Sequence, residues 1–361
     1  MQLLAATSKG LIIVNNKAND WKIANVHFTG LPVSFIYIDE RNNTWWAGIS
    51  LRHWGEKIYH STDEGKNWHE AGVPNFKNYF YRPGKAAVLK KLWVMQHAGE
   101  DKSGCLWLGT EPGGLFFSED NGKSWRLDEN LWNHPSRLND NQWFGAGKDF
   151  PFIHSVIVDP RNSDHVYVGV SCAGVFKTLD GGKNWEPRNA GLVAAYLPNP
   201  NAEVGHDPHR ILQCKSNPDV IWQQNHGGIF RTEDGGESWK DVSGKDGFPK
   251  YGFALAIDDR NPETAWVIPA QSDGMRIPVD LKLTVCKTID GGKNWSSLNA
   301  GLPHENSFDL VLRHAFVKKE NVLAFGSNNG NLFLSENNGE TWKAIAQNLA
   351  AVNCLTIFNR S

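Results

Sequence analysis

The 361-residue chain has no apolar run approaching the length of a membrane span, which argues against a membrane-spanning helix. It has no excess of either charge: 37 Lys and Arg stand against 39 Asp and Glu, for a formal net charge of -2. No block of like charge occurs, so neither a basic field for nucleic acid nor an interaction tail is expected. The N-terminal residues lack a basic stretch, an apolar core and a cleavage site, and they read directly into a strand. Cysteine is scarce and unpaired in spacing. Cys105, Cys172, Cys214, Cys286 and Cys354 form no Cys-x-x-Cys, and their number is odd. Such a set reads as reduced and buried, so the expected location is cytoplasmic.

What the chain does have is one short motif repeated six times, Ser/Thr-x-Asp-x-Gly-x-x-Trp. It reads Ser61-Asp63-Gly65-Trp68, Ser118-Asp120-Gly122-Trp125, Thr178-Asp180-Gly182-Trp185, Thr232-Asp234-Gly236-Trp239, Thr288-Asp290-Gly292-Trp295 and Ser335-Asn337-Gly339-Trp342. The residue types describe a tight hairpin. The Ser or Thr ends a strand, and the Asp oxygen accepts hydrogen bonds from its own turn. The Gly takes a backbone angle that other residues adopt only at a cost. The Trp opens the next strand and covers the turn with a large apolar ring. Asn337 still offers an acceptor oxygen in the last copy. A seventh frame runs from Val14 to Trp21, with Asn16 and Ala18 at the Asp and Gly positions.

The seven anchors stand at positions 14, 61, 118, 178, 232, 288 and 335. Their spacing suits one four-stranded blade per repeat, at about 40–50 residues. In one unit, His154–Val158 is the inner strand A, His165–Val170 is B, Gly174–Thr178 is C, and Trp185 opens D. The chain starts in a B-type strand, Gln2–Thr7, and ends in an A-type strand, Val352–Phe358. The last strand is therefore expected to complete the first blade, which removes exposed sheet edges. The expectation is an all-β, seven-bladed β-propeller forming one domain over residues 1–361.

The motif is that of the Asp-box, and the chain resembles the bacterial-neuraminidase-repeat proteins over nearly its whole length. That group includes sialidases, xyloglucanases, sortilin-type receptors and a photosystem II assembly factor. The resemblance implies the fold and a sialidase-like glycosyl hydrolase or related carbohydrate-active enzyme. It does not fix the activity, because one fold carries many functions. Sialidases place Arg-Ile-Pro before the first box and use three arginines on the substrate carboxylate. Here Arg276-Ile277-Pro278 falls near the fifth full box, and no arginine precedes Arg41. Genuine sialidase activity is therefore not expected.

Strand direction assigns the A–B and C–D turns to one face and the D–A and B–C loops to the other. The extra length falls in the second set, at residues 71–92, 126–151, 191–209 and 270–282, and loops on a rigid scaffold concentrate binding residues. His154 and His209 begin A strands, and His226 ends a B strand, on that face. Glu111, Asp207 and Asp309 fall there too, with Asp149 and Asp273 as further carboxylates. These make Glu111, His154, Asp207, His209, His226 and Asp309 the catalytic candidates. Arg52, His53, Trp143, Gln224, Asn225, Arg276 and Arg313 are the ligand-binding candidates.

Two chemistries remain open. Glycoside hydrolysis requires two carboxyl groups flanking a sugar. Metal-assisted lyase chemistry would use His154, His209 and His226, with Gln223, around a divalent ion. No cofactor other than such a metal is indicated. A non-enzymatic binding propeller is the third reading. The expected partner is a carbohydrate or other small polar ligand, without nucleic acid or membrane.

Overall fold

The computed structural model describes residues 1–17, 20–51, 53–82, 84–138, 142–145 and 149–359. The fold is all-β, a seven-bladed β-propeller, with seven four-stranded antiparallel sheets and very little helix. The chain forms two compact units, residues 1–36 with 209–361, and residues 37–208.

The first unit holds four blades. Blade one joins Gln2–Thr7, Gly10–Lys17 and Asp20–His27 to the C-terminal strand Val352–Phe358. Blade five runs Pro208–Gln213, Ile221–Asn225, Gly228–Thr232 and Lys240–Asp241, from inner to outer strand. Blade six runs Gly252–Asp258, Asn261–Pro269, Val285–Thr288 and Ser296–Leu298. Blade seven runs Phe316–Lys319, Val322–Gly326, Leu332–Ser335 and Lys343–Ala346. A core including Leu3, Trp266, Phe316, Phe325 and Ile357 fills this unit.

The second unit holds the other three. Blade two runs Val33–Asp39, Thr44–Leu51, Gly55–Ser61 and His69–Glu70. Blade three runs Lys91–His97, Leu106–Glu111, Leu115–Ser118 and Arg126–Leu127. Blade four runs Ile153–Val158, Val166–Val170, Gly174–Thr178 and Glu186–Pro187. Trp107, Phe117, Val168, Phe176 and Trp185 are among its core residues.

The repeated turn has the chemistry its residue types require. Thr178 Oγ1 donates to Asp180 Oδ1 at 2.8 Å and accepts from the Gly182 amide at 3.0 Å. Asp180 Oδ1 also accepts from the Asn184 amide at 2.9 Å. Gly182 has φ +91°, a conformation open to glycine at no steric cost. Asn337 substitutes for Asp as acceptor, taking Ser335 Oγ at 2.8 Å and the Thr341 amide at 3.0 Å. The hydrogen bonds from Asn184 hold the Asp180 carboxyl at a pKa of about 2.

The Trp of the turn reaches beyond its own blade. Trp125 Nε1 donates to Gly72 O at 2.9 Å, and Trp295 Nε1 donates to Val242 O at 2.8 Å. Trp185 Nε1 donates to Asp128 Oδ1 at 3.3 Å. Each acceptor lies just past the outer strand of the preceding blade. Trp21 also links blade one to blade seven, but its acceptor differs: Nε1 donates at 3.0 Å to the side chain of Glu336, in the turn after the third strand of blade seven.

Two features depart from the sequence reading. Val14 does not end its strand, which continues to Lys17 and pairs Lys17 with Asp20. Blade one therefore carries a longer plain hairpin in place of the box turn, while Trp21 keeps its burial and its clamp. Ala18 lies outside the described residues. The five cysteines are all free, but Cys105 is only half-buried. Cys172 sits in a turn between strands, at φ +54°.

The predicted closure is present. Gln2 to Ala6 pair in antiparallel register with Phe358 to Cys354. Removing residues 352–361 deletes that strand and exposes its partners. Each of the buried Leu355, Ile357 and Phe358 is worth about 1.5–3 kcal/mol. The truncated chain should melt far below the parent, and an unchanged melting temperature would contradict the pairing. Thr178→Val leaves the Gly182 amide without its acceptor and should cost about 1–3 kcal/mol in urea unfolding.

Candidate functional site

The inner strands of blades three, four and six share an irregularity near their first residues. The register slips between Leu92 and Val94, between Ile153 and Ser155, and between Gly252 and Ala254. The residues set off by these bulges are Trp93, His154 and Phe253. A bulge re-aims a side chain that regular alternation would direct elsewhere.

In the second unit, Lys91 lies opposite Glu111 across the first two strands of blade three. Trp93 stacks on Phe152, with centroids 4.2 Å apart and planes 9° from parallel. Trp93 Nε1 donates to Glu111 Oε2 at 3.3 Å, and Lys91 Nζ sits 3.7 Å from the indole centroid. Phe152 meets His154 edge to face at 6.0 Å. His154 is fully buried, with Nδ1 2.9 Å from Ser155 Oγ.

Blade two brings a second carboxyl to this wall. Glu56 is 9% exposed, and its Oε1 accepts from Ser50 Oγ at 2.7 Å. Its Oε2 is buried with no hydrogen-bond partner. Burial raises its pKa, and the negative charge of Glu111 adds to this; Ser50, the Leu92 backbone and Lys91 act against it. His53 is exposed on the same hairpin, next to Trp54, whose side chain is 82% exposed. Arg52 lies outside the described residues.

Elsewhere in this unit, buried Asp207 accepts from Ser171 Oγ at 2.8 Å and from the Cys172 amide at 3.1 Å. Trp143 is a core residue and does not face a ligand wall. It is buried against Phe176 at 5.1 Å, and its Nε1 donates to Ser136 Oγ at 3.0 Å. Asp149 is exposed.

In the first unit, His209 and His226 come together, with centroids 5.9 Å apart. His209 Nδ1 donates to Gly252 O at 2.6 Å, which leaves Nε2 as its acceptor nitrogen. Its ring stacks on Phe253 at 4.4 Å. Tyr251 meets both imidazoles edge to face. The guanidiniums of Arg276 and Arg313 each lie 5.4 Å from the Phe253 centroid. Arg276 is bound to Asp273 through Nη2 and Nε. Burial alone would raise the Asp273 pKa, but Arg276, His226 and Tyr251 together hold it low. A cleft of about 250 Å³ is lined by His226, Phe248, Lys250, Tyr251, Gln271 and Val279, among others.

The remaining polar candidates here are engaged in holding the backbone. Gln224 Nε2 donates to the carbonyls of Asn225, Gly228 and Lys250. Asn225 binds Gln223 Oε1 and the Gly227 amide. Asp309 accepts from Ser307 Oγ, Ser327 Oγ and Asn331 Nδ2. These three residues were expected to meet a ligand or substrate, but short loops consume their hydrogen-bonding capacity. For metal binding, this unit offers the two imidazoles of His209 and His226.

Sequence reasoning missed Glu56, Trp93, Tyr251 and Phe253. Glu56 carried a signal: it is in phase with the inward-facing Ile58, so a carboxylate occupies a core-facing position. Trp93 and Phe253 carried none, because a bulge is not legible in an apolar strand.

No protein-family model matches the chain. Among curated proteins, it is similar to the oligoxyloglucan-reducing end-specific xyloglucanase of Emericella nidulans. The two are 26% identical over 228 residues, 54% of this chain and 25% of that protein. Among solved structures, it is similar to the GH74 enzyme of Niastella koreensis, with TM-score 0.64 and 17% identity, over 96% of this chain and 52% of that one. The GH74 xyloglucanase of Xanthomonas campestris gives TM-score 0.64 and 15% identity over the same shares. The chain therefore spans about a quarter of the curated relative's length and about half of each solved enzyme. The structural likeness establishes the propeller fold.

Replacing Asp309 with Ala strands two buried hydroxyl donors, Ser307 and Ser327, and the part-buried amide of Asn331. It should lower stability by about 1–3 kcal/mol or more in urea unfolding. A variant as stable as the parent would return Asp309 to the catalytic candidates.

Proposed function

We propose that this chain is a carbohydrate-active enzyme of the glycoside hydrolase type, acting on a glycan at the wall formed by blades two to four. The carrying observation is Glu111, a buried carboxylate hydrogen-bonded to Trp93 in an aromatic and basic setting. Glycosidic cleavage proceeds through carboxyl groups. Aromatic faces accept the apolar faces of sugar rings, and the half-buried Trp93 and exposed Trp54 offer such faces. The likeness to xyloglucanases supports a neutral polysaccharide as substrate. A sialidase reading draws no support from Arg276, whose guanidinium is engaged by Asp273. For the lyase reading, one unit contributes the His209 and His226 pair.

The test is incubation of the full chain with xyloglucan oligosaccharides, mixed-linkage glucan, a polyuronate and sialyllactose, with products read by reducing-end assay and mass. Cleavage of a neutral glucan is expected, with sialyllactose untouched and Glu111→Gln inactive. Cleavage of the polyuronate to unsaturated products, with a stoichiometric divalent ion in the purified protein, would favour the lyase. No cleavage of any member would overturn the enzyme reading and leave a binding propeller.

A further inference from the structure

The cleft of about 250 Å³ takes its walls from the connection between blades five and six, from the excursion within blade six, and from His226. Backbone hydrogen bonds fix both walls. The Gly244 amide donates to Pro249 O at 2.8 Å, and the Gly247 amide donates to Gly244 O at 2.9 Å. Gln224 Nε2 holds Lys250 O at 2.9 Å. On the other side, the Ala270 amide donates to Tyr251 O at 2.9 Å and the Gln271 amide to Ile277 O at 2.8 Å. A cleft held in this way receives a ligand without the cost of ordering its loops.

The side chains on these walls are not used by the fold. Phe248, Lys250 and Gln271 are exposed, and among the described residues their side chains have no hydrogen bond, ion pair or ring contact. Half-buried His226 and Tyr251 line the same space, with ring centroids 5.6 Å apart. Among the described residues no carboxylate lines the cleft. Asp273 accepts from the Tyr251 hydroxyl at 3.3 Å, but it is paired with Arg276, whose Nε donates to it at 3.1 Å. The fixed charge on the lining is therefore the ammonium of Lys250.

We infer that this cleft binds one sugar unit bearing a carboxylate, a hexuronate, apart from the wall assigned to hydrolysis. Its volume lies below the roughly 300–1,000 Å³ of sites for drug-sized ligands, which suits a single small ring. Phe248 and Tyr251 offer faces to the apolar side of a pyranose. The Gln271 amide and the His226 imidazole both donate and accept, as ring hydroxyls do. One ammonium balances one carboxylate, whereas a phosphate dianion would keep excess charge. Binding makes and breaks no bond, and it holds whether or not the chain cleaves glycans.

The test uses the full chain with methyl glucuronide, methyl glucoside, glucose 6-phosphate and benzoate, read by saturation-transfer NMR and competition. Methyl glucuronide is expected to bind uncleaved, about 10–100-fold tighter than the glucoside, the worth of a charged hydrogen bond. Added salt should weaken it. Lys250→Met should remove that advantage and leave the glucoside unchanged, while Gln271→Ala should weaken both. Both side chains are exposed and unpartnered, so the variants should melt with the parent. Ring resonances of His226 and Tyr251 should shift on addition of glucuronide, a readout that needs no variant. No glucuronide binding, equal affinity for the glucoside, tighter glucose 6-phosphate or benzoate, or indifference to Lys250→Met would each overturn the assignment. Cleavage of a neutral glucan should be unchanged in Lys250→Met, so the uronate site and the hydrolase reading fail separately.

Discussion

The hydrogen bond from a turn tryptophan to the outer edge of the preceding blade is the interaction on which the rest depends. A four-stranded sheet cannot bury both of its faces alone, so a blade is stable only against its neighbours. The Ser/Thr, Asp and Gly of each full repeat shape the turn, and at Trp125, Trp185 and Trp295 that shape delivers the indole N–H to an acceptor. Trp125 on Gly72, Trp185 on Asp128 and Trp295 on Val242 repeat one solution at different points in the chain. Blade one shows which part is indispensable. It lost the turn chemistry, and its hairpin runs on to Lys17, yet Trp21 still reaches Glu336. The clamp survives where the box does not.

With the blades held from their outer edges, the inner strands are free to deviate. Among the described residues four of them do so near their starts, and the bulges set off Trp93, His154, Phe253 and Asn353. Such an interruption forfeits ladder hydrogen bonds locally and gains a side chain aimed off the regular alternation. In blade three the gain is an indole that donates to Glu111. In blade six it is a phenyl ring that carries His209 and lies beside two guanidiniums. The scaffold is regular where it binds its own blades and irregular where polar and aromatic groups collect.

The candidate residues separated according to what else could use their hydrogen bonds. Gln224, Asn225 and Asp309 are polar and stand near strand ends. In short loops the nearest partners of such groups are backbone amides, carbonyls and neighbouring hydroxyls, and these took them. Glu111 and His209 instead sit against aromatic rings, Trp93 and Phe253. Glu56 was passed over, since one glutamate in a hairpin looks like an ordinary surface charge until the neighbouring blade covers it.

By itself the sequence determined the blade count, the strand order and the closing pair, because these follow from local chemistry repeated at a regular period. Turn residues with positive φ, alternating strands and a tryptophan at a constant offset are all short-range facts. The Gln2 to Phe358 pairing followed from them, as an unmatched first strand and an unmatched last one require each other. Tertiary structure alone decided which polar groups became available for chemistry. That choice rests on bulges, burial and contacts between residues as distant in the chain as His209 and Gly252, none of which is encoded at short range.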